Sequence, residues 1–489
     1  MREAIEPSPA STLQTARDET MRRGQAVRRW SRNLPREHGF EPLEIEGELP
    51  KSLRGTLYRN GPGLLRRPGG SPYLHMFDGD GVVSAVRVDS GKAQGAVRII
   101  QNEKLMEEQA QGRAIWGSGL TPATHWYRRV LGRGSKNVAN TNVLMWQNRL
   151  LALFEGGSPT ELSLADLSTI GQTDFGGVVR QMFSAHPHYN WKRRTTFNFG
   201  IRYGRFTKID LFALPDQGAA SWLASHQVAD GTIMLHDFAV TEDYFVFFVA
   251  PARMNRVSLL LGLQSPLGTM KYVDSKPSEA LVVPIDSPHQ CTRFEVPAFF
   301  NFHITNAYQQ GDRIIVDMPA FADFPYDGLR LSANGELQFR ATGKLEQRRA
   351  TIEIQTQSLS WETLANVAAE LPTVPRSHVG KPYRYAYYLA DEPNSRIPGH
   401  IGKLDVQSRT FHRVELSPDE LPSEAIFVSR DGATEEDDGY LLSLIYDAAS
   451  DRSYMGVFDA RELSDRPLAK LWFNHMLPIT LHGTFIPVW

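Results

Sequence analysis

From about Gly47 to the C-terminus, apolar and polar positions alternate in short runs rather than in long amphipathic stretches. RGTLYRNG, VVSAVRV, NVLMWQNRLLALF, YFVFFVA, DRIIVDM and YRYAYYL each predict a strand, and GYLLSLIYDAASDRSYMGVFDA predicts strands too. Turn-forming dipeptides separate them, among them Asn60-Gly61, Asp80-Gly81, Asn334-Gly335 and Asp431-Gly432. LIYDAASDRSYMGVFDA reads as a hairpin with a polar tip. Residues 1–45 differ: they are polar and charged, and MRRGQAVRRWSRN predicts a helix. The chain therefore divides into an N-terminal extension, 1–45, and one all-β domain, 46–489. Segments near 104–136 and 253–271 break the strand pattern and predict helical or loop insertions that cap one face.

Many short strands with regular turns suggest a sandwich, barrel or propeller, and 489 residues exceed one simple sandwich or small barrel. Four histidines favour the propeller. His186 (FSAHPHY), His236 (IMLHDFAV), His303 (FFNFHITNAY) and His482 (PITLHGTF) lie far apart, each in an apolar, strand-like setting. Local metal motifs repeat within one helix turn or hairpin, so ligands this dispersed must converge from separate parts of a closed fold. Inner strands of successive propeller blades face one channel, where single residues from distant blades meet. No crisp repeat is visible, so the pattern does not supply a blade count.

A lone histidine in an apolar strand is usually a satisfied core residue, but four in matching contexts shift that balance. The other ten of the 14 mostly sit in polar settings such as PREHG, SPHQC and FHRVE. His188 is a rival to His186, being two residues along the same strand, although Pro187 between them marks a strand end or bulge. Glu155 (LLALFEGGSP), Glu370 (AAELPTVP) and Glu424 (SEAIFVSRD) share the apolar context and suit the second ring nitrogen of ligating imidazoles. Four neutral ligands leave a divalent ion its full charge and, in octahedral geometry, two free positions, as a redox-active iron site requires. Ligand type alone admits zinc, copper and nickel as well, so this line of argument ends at an open metal site.

Bulk properties narrow the setting. With 41% hydrophobic and 10% aromatic residues, 39 glycines and 30 prolines, the chain is turn-rich and globular. A net charge of −2 gives no field to hold nucleic acid. One cysteine, Cys291, excludes an intramolecular disulfide framework and fits a reducing compartment. MREAIEPSPASTLQ has no apolar core for a signal peptide, and no stretch reaches the roughly 20 apolar residues of a spanning helix. A soluble cytoplasmic protein is expected.

Taken together, LRGTLYRNGPG, FDGDGVVSAVRV, NVANTNVLMWQNRLLALFEGG, FSAHPH, LHDFAVTEDYFVFF, FHITNAY, EDDGYLLSLIYDAA and LHGTF resemble the carotenoid cleavage oxygenase family, in style its bacterial and cyanobacterial apocarotenoid oxygenases. The resemblance runs from about Gly47 to the C-terminus. It implies a seven-bladed β-propeller with a helical and loop cap, and a non-haem Fe(II) on the axis held by His186, His236, His303 and His482. Glu155, Glu370 and Glu424 would be the carboxylates behind the ligands. The sequence departs from the family at Leu371, Ala425 and Ser429, where an aromatic residue and prolines are usual; this puts local backbone shape in question. Thr141 of NVANTN matches a position beside the open coordination site, and equally suits an ordinary strand.

The implied chemistry is addition of O₂ across a C=C bond of an apocarotenoid polyene, giving two carbonyl products. The protein holds Fe(II) and positions one alkene by shape. Phe77, Phe154, Phe302 and Trp146 are candidate tunnel walls, although an aromatic residue at a strand position is, taken singly, more often core. The stilbene-cleaving branch tends to carry lysine where Phe154 stands, so an apolar polyene is the expected substrate. A stilbene oxygenase, a retinoid-isomerase-like enzyme and a non-catalytic polyene-binding propeller are the alternatives. Finally, RMNRVSLLLGLQSPLGTMK sets Val257, Leu259, Leu260, Leu261, Leu263 and Leu267 between Arg253, Arg256 and Lys271. Three successive leucines cannot share one helix face, so 253–271, with 112–132 beside it, is expected to meet a membrane surface or to be buried all round.

Overall fold

Seven antiparallel sheets form the blades of a β-propeller. The computed structural model describes residues 9–488 apart from 126, 128–134, 229–231, 256–269, 274, 323–328, 340–343 and 392–396. Blades 1 to 6 follow in chain order, over residues 142–172, 188–227, 239–296, 306–365, 369–415 and 420–472. Blade 7 joins the two ends of the chain: His482–Pro487 pairs with Gly55–Leu64, which is followed outward by Asp80–Asp89, Lys92–Ile99 and His38–Pro42. Glu44–Gly47 adds an outer strand to blade 6 beside Ala469–Trp472. The β-structure thus begins at His38, inside the predicted extension. These two edge strands, five and four residues long, the first mostly half-buried and the second exposed, are too short to show alternation.

The wholly apolar runs follow from the stacking of blades, because a strand inside a ring is buried on both faces. In YFVFFV (Tyr244–Val249), Phe245 and Phe247 pack toward blade 2, whereas Val246 and Phe248 pack toward blade 4. In Gly439–Asp447, Leu441 and Ile445 face blade 5 while Leu442 and Leu444 face blade 7. The predicted hairpin there is present, as Gly439–Asp447 and Arg452–Asp459. Asn334-Gly335 and Asp431-Gly432 lie in turns. Asn60-Gly61 and Asp80-Gly81 do not; both sit in blade 7 strands. Their glycines serve close approach instead, since a Cβ on Gly61 would lie 2.1 Å from the Ile479 carbonyl oxygen and one on Gly81 2.5 Å from that of Ala139.

One face carries a cap. Helix α1 (Pro9–Trp30) lies across it, and helix α2 (Glu103–Gln111) opens the first insertion. The ends of the second insertion are strands, Ala252–Met254 and Met270–Tyr272, in a small sheet with Thr232–Ile233. Its leucine-rich centre lies outside the described residues, as does most of 126–134. Among the described residues no helix is long and apolar enough to cross a membrane.

Candidate metal centre

Every blade's innermost element brings one residue to the axis at its cap-side end. Thr141 immediately precedes Asn142–Trp146, His186 precedes His188–Asn190, His236 precedes Ala239–Val240, and His303 precedes Asn306–Gln310. Glu370 lies in Ala369–Thr373, Glu424 between Glu420–Pro422 and Ile426–Ser429, and His482 opens His482–Pro487. Glu155 follows the second strand of blade 1, Arg149–Leu153, which runs antiparallel and so ends on the same face. Asparagine side chains fix the spacing between blades. Asn60 donates to the carbonyls of Ala139 and Asn142, both at 2.9 Å; Asn142 donates to Ala185 at 2.8 Å, and Asn190 to Thr241 at 2.9 Å.

The four histidines are buried and their facing ring nitrogens all lie within 4.8 Å of one another. Nε2 of His186 is 2.9 Å from Nε2 of His236, and Nε2 of His303 is 3.1 Å from that of His482. Two metal–nitrogen bonds of about 2.1 Å at right angles place their nitrogens about 3 Å apart. The outward nitrogens settle the protons. Nδ1–H of His236 donates to Glu155 at 2.8 Å, that of His303 to Glu370 at 2.6 Å, and that of His482 to Glu424 at 2.8 Å. With the proton held on Nδ1, Nε2 of each presents a lone pair, and lone pairs 3.1 Å apart require a cation between them. The donor set therefore fits a divalent metal.

Electrostatics agree. Burial, with the three neighbouring imidazoles, holds His186 well below the usual histidine range, leaving it neutral. Burial also lowers His482 against the pull of Glu424. For His236 burial acts in the same sense, but Glu155 and other nearby carboxylates outweigh it and raise the value. Burial would raise Glu424, yet Arg59 and His482 hold its carboxyl below the usual range. Arg59 is itself 1% exposed and pairs with Glu424 while donating to Leu481 O at 2.8 Å. With a divalent ion bound, Glu155, Glu370 and Glu424 would together balance its charge and that of the Arg59 guanidinium.

His188 does not join the cluster. Its Nε2 is 2.7 Å from Asp237, whose carboxylate also accepts the backbone N–H groups of Phe238 and Ile304, each at 2.7 Å. Asp237 so ties the His236 segment to the His303 segment. Arg59 and Asp237 were missed in the sequence, although each lies within a quoted motif, LRGTLYRNGPG and LHDF. At the departure from the family pattern, Leu371 takes φ 52°, and its N–H donates 2.9 Å to the Glu370 oxygen that receives the His303 proton. That conformation is strained for leucine and is held beside the site.

A cavity of about 530 Å³ opens on the histidines, within the range of small-molecule sites. Thr141, Phe154, Phe302 and Phe77 line it. Phe302 stands edge-on to His236, with ring centroids 5.5 Å apart. Thr141 Oγ1 donates to Asn140 Oδ1 at 3.1 Å. Trp146 does not line the cavity; it packs between blades 1 and 2, with its indole N–H on Pro215 O at 2.8 Å. Among the described lining residues there is no lysine or arginine.

The profile of the retinal pigment epithelial membrane protein family matches residues 32–487. The apocarotenoid-15,15'-oxygenase of Synechocystis sp. is 33% identical over 469 residues, covering 92% of this chain and 94% of the relative. An isoeugenol monooxygenase of Pseudomonas nitroreducens is 28% identical over 477 residues, covering 91% and 94%. The crystal structure of cobalt-substituted Synechocystis apocarotenoid oxygenase superposes with a TM-score of 0.86 at 31% identity, over 95% of this chain and 99% of that one.

Proposed function

Because the chain belongs to the retinal pigment epithelial membrane protein family, that of the carotenoid cleavage oxygenases, we propose that it cleaves one C=C bond of an apocarotenoid with O₂, giving two carbonyl products. The observation that carries this reading is the convergence of four buried imidazoles, three of them with the proton held on Nδ1, on an apolar cavity. His186, His236, His303 and His482 would hold Fe(II), which when bound supplies the redox chemistry for adding both oxygen atoms across the alkene. The choice of iron rests on the family and on the open, all-nitrogen donor set.

The protein's own part is placement. Glu155, Glu370 and Glu424 keep the Nδ1 protons in place and so aim each Nε2 at the axis. Phe154 and Phe302 would hold the polyene by shape, with Thr141 flanking the face left open by the four nitrogens. No acid or base is needed, and mostly apolar walls surround the bound alkene. The apolar lining supports the substrate class, because no cationic side chain stands among the described lining residues to engage a phenolate. That disfavours stilbenes, although isoeugenol monooxygenases are among the relatives. Membrane docking through 253–271 and 112–132 completes the reading, supported by the leucines between Arg253, Arg256 and Lys271 and by the insolubility of the substrate. The lone Cys291 supports a reducing, cytoplasmic location.

Incubation of iron-loaded protein with a panel of apocarotenals, 4-hydroxystilbene and isoeugenol, followed by identification of the aldehydes, tests the assignment. Cleavage of an apocarotenal is expected. Turnover of a phenolic substrate alone would move the protein to the stilbene-type reading.

A further inference from the structure

Helix α1 lies outside the segment that the family profile matches, which starts at residue 32, yet it forms part of the cavity wall. In ring order, the walls beside His236 come from blade 2 and the small cap sheet, including Ile201, Tyr203 and Ile233. Across the axis, beside His482, they come from blades 5 to 7 and from Val27 and Trp30 of α1. The histidines therefore stand between two sides of the cavity, and α1 contributes to the wall of the second.

That wall is built to hold its shape. Val27 and Trp30 are 4% and 9% exposed and share one apolar cluster with Met76, Leu337, Leu421 and Ile479. The Trp30 indole stacks on Tyr446 at 5.7 Å with an interplanar angle of 11°, and its N–H donates to Leu477 O at 2.7 Å. Two turns before Trp30, Arg23 is 2% exposed and donates to the carbonyls of Glu420 at 3.0 Å, Leu416 at 3.3 Å and Gly399 at 3.4 Å. The approach at Gly399 is so close that a Cβ there would lie 2.7 Å from the Arg23 guanidinium carbon. A helix with a mostly polar sequence is thus fastened by a buried arginine and a stacked indole, which leaves two apolar side chains facing the substrate space.

We infer that α1 is the length gauge of this enzyme: Val27 and Trp30 close the His482 side of the cavity and set how much of a polyene extends beyond the scissile bond on that side. This rests on the proposed function for the identity of the ligand, but the length limit is a property of binding and is measured without turnover. Replacing a buried ring by alanine opens a space on the order of 150 Å³, enough to admit a benzene-sized group. Filling that side has the opposite effect, and discrimination by apolar pockets runs at about 10–200-fold per step in size.

The test uses the full-length, iron-loaded protein with Trp30→Ala, Trp30→Phe and Val27→Phe. Under nitrogen, the dissociation constants of fluorescent linear polyenes of increasing length are measured first. In air, product ratios from mixed short and long apocarotenals follow. Trp30→Ala is expected to extend the length limit and to raise the long-to-short ratio about tenfold, Trp30→Phe to change it less, and Val27→Phe to shorten the limit and lower the ratio about tenfold. Iron content should stay that of the parent. Should Trp30→Ala fail to fold, Val27→Phe decides. An unchanged length limit in Val27→Phe and in whichever Trp30 variants fold would overturn the inference. A parent that binds polyenes with a clear limit but cleaves none would overturn the proposed function and leave the gauge standing.

Discussion

Glu424 and Glu370 both receive an imidazole proton, but their surroundings differ enough to separate the two consequences of losing a carboxylate. Glu424 is 5% exposed in its side chain, and all three of its partners are donors: His482 Nδ1–H at 2.8 Å, Gly483 N–H at 3.1 Å, and Arg59, which is 1% exposed. Glutamine there must turn an NH₂ toward one of these donors and leaves the Arg59 cation buried without an anion. Breaking a buried pair from one side costs about 3–5 kcal/mol. Glu370 is 21% exposed, accepts from His303 Nδ1–H and Leu371 N–H, and has no guanidinium partner among the described residues. Its replacement by glutamine forfeits about 1–3 kcal/mol. Each carboxylate also steadies one metal ligand, a role worth about 10–100-fold in metal affinity.

The expectation is therefore double. Metal-free Glu424→Gln should lose about 3–5 kcal/mol of stability in denaturant titration, metal-free Glu370→Gln distinctly less, and both should bind iron about 10–100-fold more weakly in competition with a chelator. Adding Arg59→Met to Glu424→Gln should recover most of the stability while iron stays weakly bound, because the orphaned cation is gone but the His482 proton still lacks its carboxylate. Equal stability losses in the two single variants, or iron affinity indistinguishable from the parent, would refute the reasoning.

Further expectations concern other parts of the fold. His186→Ala should abolish iron binding, whereas His188→Ala should keep the iron and lose about 1–3 kcal/mol of stability, since it removes one donor from the buried Asp237; metal analysis beside thermal melting checks both. Burial raises Asp78 from 3.8 to about 6 against hydrogen bonds from Thr121 and Leu120. The folded state then binds a proton that the unfolded chain releases, so stability should fall by roughly 2–3 kcal/mol as pH rises from about 4 to about 6. Asp78→Asn should remove that part of the slope in stability measured against pH. Leu260→Asp with Leu261→Asp should lower liposome binding while iron content and activity on detergent-dispersed substrate persist; an unfolded double variant would assign these leucines to the core.

The sequence by itself determined the four-histidine cluster, because each histidine sits in a short apolar run and dispersed residues of that kind have few folds in which to meet. It also carried the three carboxylates, whose apolar settings require buried proton donors. What it could not carry was anything set by neighbours distant along the chain. Asn60-Gly61 and Asp80-Gly81 have the composition of turns, yet lie in strands because other backbones pass against their glycines. His188 is as plausible a ligand as His186 until Asp237, brought in from blade 3, takes its ring nitrogen. Trp146 and Phe154 are both aromatic residues of blade 1's inner hairpin, and only the fold decides that Trp146, at its turn, packs between sheets while Phe154, at its open end, faces the cavity. The pairing of Arg59 with Glu424 across 365 residues, and the seating of a polar N-terminal helix against the substrate space, are likewise products of ring closure. Local pattern records whether a residue is buried, but the identity of what it is buried against is fixed only when the seventh blade joins the two ends of the chain.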